Sequence, residues 1–386
     1  MPDRFTPLKP LTTSFFAPLS RRRLLGTGVA GALGPSLALA QGIFAAPHLL
    51  ARRALQFPRD LGSHPDTAIE WWYVTGALQA QDQHFGFQLT FFRSRVASTQ
   101  TMRSAFAAKQ LIFAHAAVTD VANQRLLHDQ RIARHSGNTT KASVDLAHVS
   151  ELDTDVSLHD WSLRRNNGSY LALVKTREFA FNLTFTETQP LLLQGDQGLS
   201  RKGPQAEHAS YYYSLPQLRV MGDLTLGLNS TPVIGRAWLD HEWSQSIMPP
   251  QAVGWDWIGM NLADGSTLTA FRLRDSTGAA VWSGGSWRDA RGTGMPEIFA
   301  PQQVVLRPVR YWQSPATTAR YPVEWEVQAG QRRYTVRALV DNQELDSRGS
   351  TGAVYWEGLS ELLAPQGQVV GRGYLEMTGY VSPLKL

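Results

Sequence analysis

The residues with the most evident chemistry are consecutive in one short segment: Asp240, His241 and Glu242. An imidazole beside carboxylates suits proton transfer, because such groups can hold and release protons near neutral pH. If the segment is a strand, its side chains alternate, so His241 and Trp243 share one face while Asp240 and Glu242 share the other. The alternative interpretation is a structural histidine bonded to a neighbour.

A copy of this segment near the end of the chain lacks the histidine. Gly235–Asp240 reads Gly-Arg-Ala-Trp-Leu-Asp, and Gly371–Glu376 reads Gly-Arg-Gly-Tyr-Leu-Glu. After the shared acid, the first copy continues with His241 and the second with Met377. A titratable residue in one copy whose counterpart in the other copy is apolar indicates that the first copy has acquired a special role. The apolar counterpart, Met377, also predicts that this face of the strand points into a barrel. We therefore expect His241 in an interior beside Trp243.

Other chemistries have weaker support. His64, His241 and Glu242 could offer metal ligands, but the chain has no His-x-His or His-x-x-x-His spacing, and we expect no metal. A serine hydrolase is disfavoured because no Gly-x-Ser-x-Gly motif is present. Glu70 and Arg93 are charges set among aromatic residues. We expect these two to pair, since a buried charge usually needs a partner.

The elements that must position these residues are strands. Phe179–Thr186 alternates apolar residues with polar or small ones, which is typical of a half-buried strand. Asn166-Asn167-Gly168 and Asp264-Gly265 lie between alternating runs and predict hairpin turns. Many short strands with frequent turns predict an all-β fold of barrels or sandwiches.

The duplication also predicts the domain organisation. Glu70–Tyr73 and Gly254–Trp257 are both rich in tryptophan, and each opens a predicted hairpin. Each half therefore starts with a tryptophan-rich strand and closes with a Gly-Arg strand, which indicates two related β domains. We place a linker at 41–56, the first domain at 57–250 and the second at 251–386.

Residues 1–40 predict export by the twin-arginine pathway. Arg21, Arg22 and Arg23 precede a modestly apolar stretch, and Ala38–Ala40 supplies a small-x-small cleavage signal. We therefore expect a periplasmic or secreted protein.

Charge and cysteine content exclude several classes of function. The net charge is +5, and residues 1–40 hold five basic side chains and one acidic. The rest of the chain then has 32 basic and 31 acidic side chains, a net of +1. Without a basic run, nucleic-acid binding is not expected. With no cysteine, disulfides, thiolate metal sites and a cysteine nucleophile are excluded.

Taken together, these segments resemble the AttH and carotenoid 1,2-hydratase (CrtC) family. The matching segments cover nearly all of the chain after the leader: His64-Pro65-Asp66, Glu70–Tyr73, Phe91-Phe92-Arg93, Ser210–Ser214, Trp238–Trp243, Gly254–Trp257 and Gly371–Glu376. The resemblance implies two lipocalin-like antiparallel β-barrel domains side by side, in agreement with the duplication.

The resemblance also implies a reaction. Hydratase members add water across a terminal carbon–carbon double bond of an acyclic carotenoid, which requires a neutral carboxylic acid as proton donor and protection of a carbocation. We choose Asp256 as the acid, with His241, Asp240 and Glu242 as further catalytic candidates.

Aromatic faces can stabilise the carbocation. The ligand-binding candidates are Trp243, Trp255, Trp257, Tyr212 and Trp72. We expect His241 and Asp256 to line one cavity with some of these aromatic residues. In a regular strand Asp256 points away from Trp255 and Trp257, so this arrangement requires a bulge or leaves one group outside.

Two functions remain open. The first is a hydro-lyase acting on an isoprenoid or another long apolar substrate, favoured by the acidic, histidine-bearing strand found in one copy only. The second is a non-catalytic periplasmic lipid-binding or carrier protein associated with an ABC-type transporter, since such barrels commonly hold one apolar ligand. The expected partners are an apolar small molecule, transporter components and the membrane periphery, and no cofactor is expected.

Overall fold

The alternating sequence patterns form antiparallel strands throughout the described chain. The computed structural model describes residues 49–104, 106–137, 146–292 and 294–384. The predicted signal peptide and the first part of the predicted linker lie outside these residues. All the described residues belong to one compact unit, Ala46–Leu386.

The first sheet contains thirteen strands within the described residues. They are β1 Ile69–Ala80, β2 Gln83–Arg95, β3 Gln110–Asp120, β4 Arg125–His135, β5 Ala147–Val149, β6 Asp155–Leu158, β7 Trp161–Asn166, β8 Ser169–Lys175, β9 Phe179–Thr186, β10 Leu192–Leu193, β11 Leu199–Arg201, β12 Ala209–Leu226 and β13 Asn229–Ser246. The order is β4-β3-β2-β1-β13-β12-β9-β8-β7-β6-β5, with β10 and β11 paired to β12. Because β4 approaches β5 and β6, the sheet curls into a nearly closed barrel.

The second sheet contains ten strands of the described chain. They are β14 Gly254–Leu262, β15 Thr267–Arg274, β16 Ala280–Arg288, β17 Glu297–Phe299, β18 Val304–Gln313, β19 Arg320–Ala329, β20 Arg332–Ala338, β21 Glu344–Ser347, β22 Ala353–Leu363 and β23 Val369–Met377. The order is β17-β16-β15-β14-β23-β22-β20-β19-β18, with β21 paired to β22. Here β18 approaches β15 and β16, so this sheet curls as well.

The all-β prediction is confirmed. The helical elements of the described residues are three single-turn 3-10 segments: Arg59–Leu61, Ala97–Thr99 and Pro301–Gln303. No helix in the described part is long and apolar enough to cross a membrane. The predicted turn at Asn167-Gly168 joins β7 to β8 with φ values of 49° and 76°, where asparagine and glycine are tolerated.

The duplicated strands pair in the same way in both halves. In the first sheet β1 pairs with β13, and Trp72 lies opposite His241. In the second sheet β14 pairs with β23, and Asp256 lies opposite Met377. The tryptophan-rich opening strand and the Gly-Arg closing strand are therefore neighbours in each sheet, as two copies of one unit would be.

Each sheet encloses its own apolar core, and a third cluster lies between the sheets. This third cluster includes Tyr73 and Trp238 from the first sheet and Trp257, Phe271 and Tyr374 from the second. All five side chains are buried. The outer faces of β1 and β13 are thus packed against those of β14 and β23. Polar side chains that point outward from each barrel on these strands are therefore shielded from solvent.

The chain passes from the first sheet to the second between Ser246 and Gly254. The predicted domain boundary at Pro250 falls in this segment. The domain limits themselves stay a prediction, because both sheets belong to one compact unit.

Candidate active site

A cavity of about 260 Å³ lies between the two sheets. Its walls are formed by residues of β1, β2, β3, β12, β13, β14, β15, β22 and β23. Most of the lining is apolar and aromatic: Trp71, Tyr73, Phe92, Phe113, Tyr212, Trp255, Trp257, Phe271 and Tyr355. Five acidic residues also line it: Glu70, which pairs with Arg93, and Asp240, Glu242, Glu357 and Glu376. We call this space the acid cavity.

Asp240 is held in place by three donors. Its Oδ1 accepts hydrogen bonds from Ser214 Oγ at 2.5 Å and from the indole of Trp238 at 2.6 Å, and its Oδ2 accepts one from Tyr212 at 2.8 Å. Burial raises the pKa of Asp240 to about 7, although these hydrogen bonds oppose the shift. A carboxyl with such a pKa exchanges its proton near neutral pH, which suits acid–base work.

Glu376 is the twin of Asp240 in the second copy. Burial raises its pKa to about 7, and the nearby carboxylates of Asp240 and Glu242 add to the shift. Its side chain remains partly accessible from the acid cavity, whereas Asp240 is 3% exposed. Glu376 can therefore reach a molecule in the cavity more directly than Asp240.

Glu357 provides a third acid beside this pair. Burial raises its pKa well above the usual value, and the neighbouring Glu376 carboxylate adds to the effect. The Glu357 carboxylate and the hydroxyl of Tyr73 interact with each other, but neither Oε1 of Glu357 nor that hydroxyl has a hydrogen bond of good geometry in the described chain. Buried polar atoms are normally well paired, so a ligand in the cavity could complete the hydrogen bonding of these two groups.

Glu242 differs from Asp240, Glu357 and Glu376 because it has a cationic partner. Its Oε1 is 2.9 Å from Nζ of Lys202, and it also accepts a hydrogen bond from Ser210. The Lys202 ammonium lies over the rings of Tyr212 and Phe271, at 4.7 and 4.3 Å from their centroids. This ion pair forms part of the polar lining of the acid cavity.

Tyr212 connects the two sheets at the cavity. Its hydroxyl donates to Asp240 and accepts a hydrogen bond from the indole of Trp257 at 3.2 Å. Burial raises the pKa of Tyr212 well above 10, so it remains a neutral donor. A register shift between Ala209 and Tyr211 precedes it in β12.

His241 lies inside the first barrel, as the alternation predicts. It is fully buried, stacks on Trp72 at 4.7 Å and lies beside Trp243. Its Nε2 faces Glu70 Oε1 at 2.9 Å and its Nδ1 faces the hydroxyl of Tyr213 at 3.0 Å. Burial lowers the pKa of His241 to about 4, so the ring is neutral near pH 7.

Glu70 organises a buried network around His241. Its Oε1 also contacts Nδ1 of His64 at 2.8 Å, and its Oε2 accepts the Nε–H of Arg93 at 2.7 Å. The predicted Glu70–Arg93 pair is therefore present. Burial alone would raise the pKa of Glu70, but Arg93 and the two histidines hold it well below the usual range.

The same network is the one group of the described chain whose geometry could hold a metal ion. The ligand atoms of His64, Glu70 and His241 lie within 4.8 Å of one another. Glu242, named with them as a candidate ligand, faces the acid cavity instead. The ring nitrogens already have protein partners, and the Arg93 guanidinium contacts Glu70. This positive charge opposes a second cation, so a hydrogen-bond network is the better description.

The expectation that His241 and Asp256 line one cavity is wrong. Asp256 points into the second barrel, where it contacts Arg272 at 2.7 Å, Arg274 at 3.5 Å and Tyr380 at 2.8 Å. Neither His241 nor Asp256 lines the acid cavity. The strand is regular at this point, so Asp256 points away from Trp255 and Trp257, and no bulge turns it toward the cavity.

The aromatic candidates divide between two places. Tyr212, Trp255 and Trp257 line the acid cavity. Trp72 and Trp243 instead pack inside the first barrel. The reason is alternation along the same strands: when the neighbours of a residue face the cavity, that residue faces the core.

Glu376, Glu357 and Lys202 line the acid cavity but are not among the site residues predicted from the sequence. For Glu376 the sequence contains a signal. Asp240 and Glu376 are the acid shared by both copies, and the shared acids meet between the sheets. His241, the polar residue that occurs in only one of the two copies, belongs to the buried network inside the first barrel instead.

The fold and the site define the class of protein: an all-β chain of two barrels with a carboxylate-lined, mostly apolar cavity between them. Comparisons with known proteins then identify its family. The AttH-like family model matches residues 48–380, so the chain belongs to the AttH-like family. A crystal structure of a protein assigned as AttH from Nitrosomonas europaea is 44% identical, with a TM-score of 0.78 over 86% of this chain and 99% of that one.

A more distant relative shares the architecture. Kievitone hydratase from Nectria haematococca is 13% identical, with a TM-score of 0.64 over 86% of this chain and 94% of that one. At this identity the likeness shows the fold alone. No curated protein matches the chain. The predicted family and the fold of two lipocalin-like barrels are thus confirmed.

Proposed function

We propose that the chain is a hydro-lyase that adds water to a carbon–carbon double bond of a long apolar molecule, such as an isoprenoid. One observation carries the proposal: Asp240 and Glu376 meet in one apolar cavity, each with its pKa raised to about 7. Two interacting acids with such values share protons near neutral pH, so one can act as acid while the other acts as base.

The reaction follows from this pair. Glu376 donates its proton to the less substituted carbon of the alkene, which breaks the π bond and leaves a tertiary carbocation at the more substituted carbon. The faces of Trp255 and Trp257 stabilise that cation by about 1–2 kcal/mol each when desolvated. Water attacks the cation, its proton passes to the Asp240 carboxylate, and return of that proton to Glu376 completes the cycle.

The comparison supports a hydratase only in part. A protein named kievitone hydratase has the same fold, so the fold is compatible with addition of water. The substrate class proposed for this chain rests on the apolar lining and on the acids of its own cavity.

Incubation of the full chain with acyclic isoprenoids that carry a terminal double bond is expected to produce alcohols one water heavier. Mass spectrometry measures this gain, and a reaction in ¹⁸O-labelled water should place the label in the product. Tight binding of the same compounds without any mass gain would exclude the hydratase and favour the carrier.

The carrier remains the second candidate because the acid cavity is mostly apolar and aromatic, as a lipid-binding site is. In that function an apolar ligand would be held between the barrels and passed to transporter components at the membrane periphery. The isoprenoid experiment separates the two functions, since a carrier binds its ligand and releases it unchanged.

For either function we propose export by the twin-arginine pathway. Lysine at positions 21, 22 and 23 should leave the precursor in the cytoplasm, because the pathway reads the guanidinium pair rather than positive charge. Cell fractionation and immunoblotting measure the distribution. Arg4→Lys is the matched control and should be exported normally. Equal periplasmic yield of the triple variant and the control would contradict the proposal.

A further inference from the structure

The duplicated arginines have no part in the proposed reaction. Arg236 and Arg372 each lie four residues before the shared acids Asp240 and Glu376. On a strand this spacing places them on the same outer face as the acids, two same-face positions farther along the junction of the two sheets. The structure has a groove of about 450 Å³ at that place, lined by both arginines and by His84.

The positive charge in this groove is poorly compensated. Nη1 of Arg236 has one long hydrogen bond, 3.4 Å to the carbonyl of Gln217. Within the described residues, Arg236 forms no ion pair. Directly opposite it on β12 lies the exposed Arg219, which also has no acidic partner in the described part of the chain. Like charges opposite each other destabilise a sheet, so this pair has a cost that a bound anion would remove.

The positive charge on the opposite wall of the groove, at Arg372, is also only partly compensated. Arg372 contacts Nδ1 of His84 at 3.3 Å and Glu361 at 3.5 Å. Glu361 is shared with Arg337 at 3.4 Å, so one carboxylate faces two guanidinium groups. Arg236 is exposed and Arg372 is partly buried, and both line the groove.

We propose that this groove, which is lined by Arg236, Arg372 and His84 and which we call the arginine groove, binds a phosphate group. Guanidinium forks match phosphate oxygens in paired hydrogen bonds, and a tetrahedral group offers oxygens to two opposite walls at once. The site is distinct from the acid cavity. Trp238, which lines the groove, donates its indole N–H to Asp240 of the cavity and stands between the two spaces.

Titration of the full chain with inorganic phosphate and with pyrophosphate tests the proposal by calorimetry, at low ionic strength because salt screens exposed charges. We expect saturable binding at one site per chain. Arg236→Gln and Arg372→Gln should each weaken binding by about tenfold, and the double variant should abolish it. Arg333→Gln removes an exposed arginine outside the groove and should bind as the wild type does.

Vesicle flotation distinguishes the two sources of phosphate. Flotation with phosphatidylglycerol but not phosphatidylcholine vesicles, lost in the double variant, identifies a lipid headgroup. Phosphate binding without flotation identifies a soluble phosphate ester. Absence of both binding and flotation overturns the proposal. So does undiminished binding by the double variant, provided that its circular dichroism spectrum and melting temperature match those of the control. Neither result depends on whether the acid cavity catalyses hydration.

Discussion

Glu376→Gln is expected to lower the rate of hydration by a factor of about 10²–10⁴, because it removes a positioned general acid. Glutamine keeps the shape of the side chain, so an isoprenoid ligand should still bind in the acid cavity. Turnover is measured as mass gain of one water, and binding by quenching of tryptophan fluorescence. Asp240→Asn should have an effect of similar size, because it removes the base.

The pH dependence provides an independent test of the same pair. Above about pH 7 the acid loses its proton, and below about pH 7 the base gains one, since the pKa values of Glu376 and Asp240 are both raised to about 7. The rate should therefore pass through a maximum near neutral pH and fall on both sides. A rate that stays constant from pH 5 to pH 9 would contradict the assignment.

Asp256→Asn is the matched control for both variants. It makes the same chemical change at a buried acid outside the acid cavity. Its arginine partners lose an anion, so we expect lower stability but unchanged turnover per folded molecule. Loss of turnover in a folded Asp256→Asn protein, with turnover kept by Glu376→Gln, would move the chemistry to the second barrel.

Arg93→Met is expected to lower the free energy of unfolding by about 3–5 kcal/mol, the usual cost of removing one partner of a buried ion pair. Arg93 is 2% exposed and donates five hydrogen bonds, to Glu70, Gln110, His64 and twice to Thr67. Without it the buried Glu70 carboxylate loses its cation. Urea unfolding followed by tryptophan fluorescence measures the change.

Two further variants serve as controls for the effect of Arg93→Met on stability. Arg125→Gln breaks an exposed pair with Glu178 and should cost less than about 1 kcal/mol. The double variant Glu70→Gln with Arg93→Met removes both charges, so it should be more stable than Arg93→Met alone. A loss below about 1 kcal/mol for Arg93→Met would show that the network does not stabilise the first barrel.

Local patterns in the sequence were sufficient for much of the fold. Alternation predicted the strand at Phe179–Thr186, and residue type predicted the turn at Asn167-Gly168. Alternation also predicted that His241 faces an interior, and the cost of isolated buried charge predicted the Glu70–Arg93 pair. These features depend on neighbours along one strand or on a rule for single residues, which a sequence displays directly.

The acid cavity was decided by the tertiary structure. Alternation places Asp240 on one face with Trp238 and Glu242, and Glu376 on one face with Tyr374, but it does not say what those faces touch. The two outer faces are buried only because the barrels pack against each other, and that burial raises both pKa values. Asp256, an equally buried acid by sequence pattern, meets two arginines from β15 instead. Desolvation and charge pairing depend on these distant contacts, so the sequence by itself identified Asp240 and Asp256 as candidate acids, while the packing of the two barrels selected Asp240 and added Glu376.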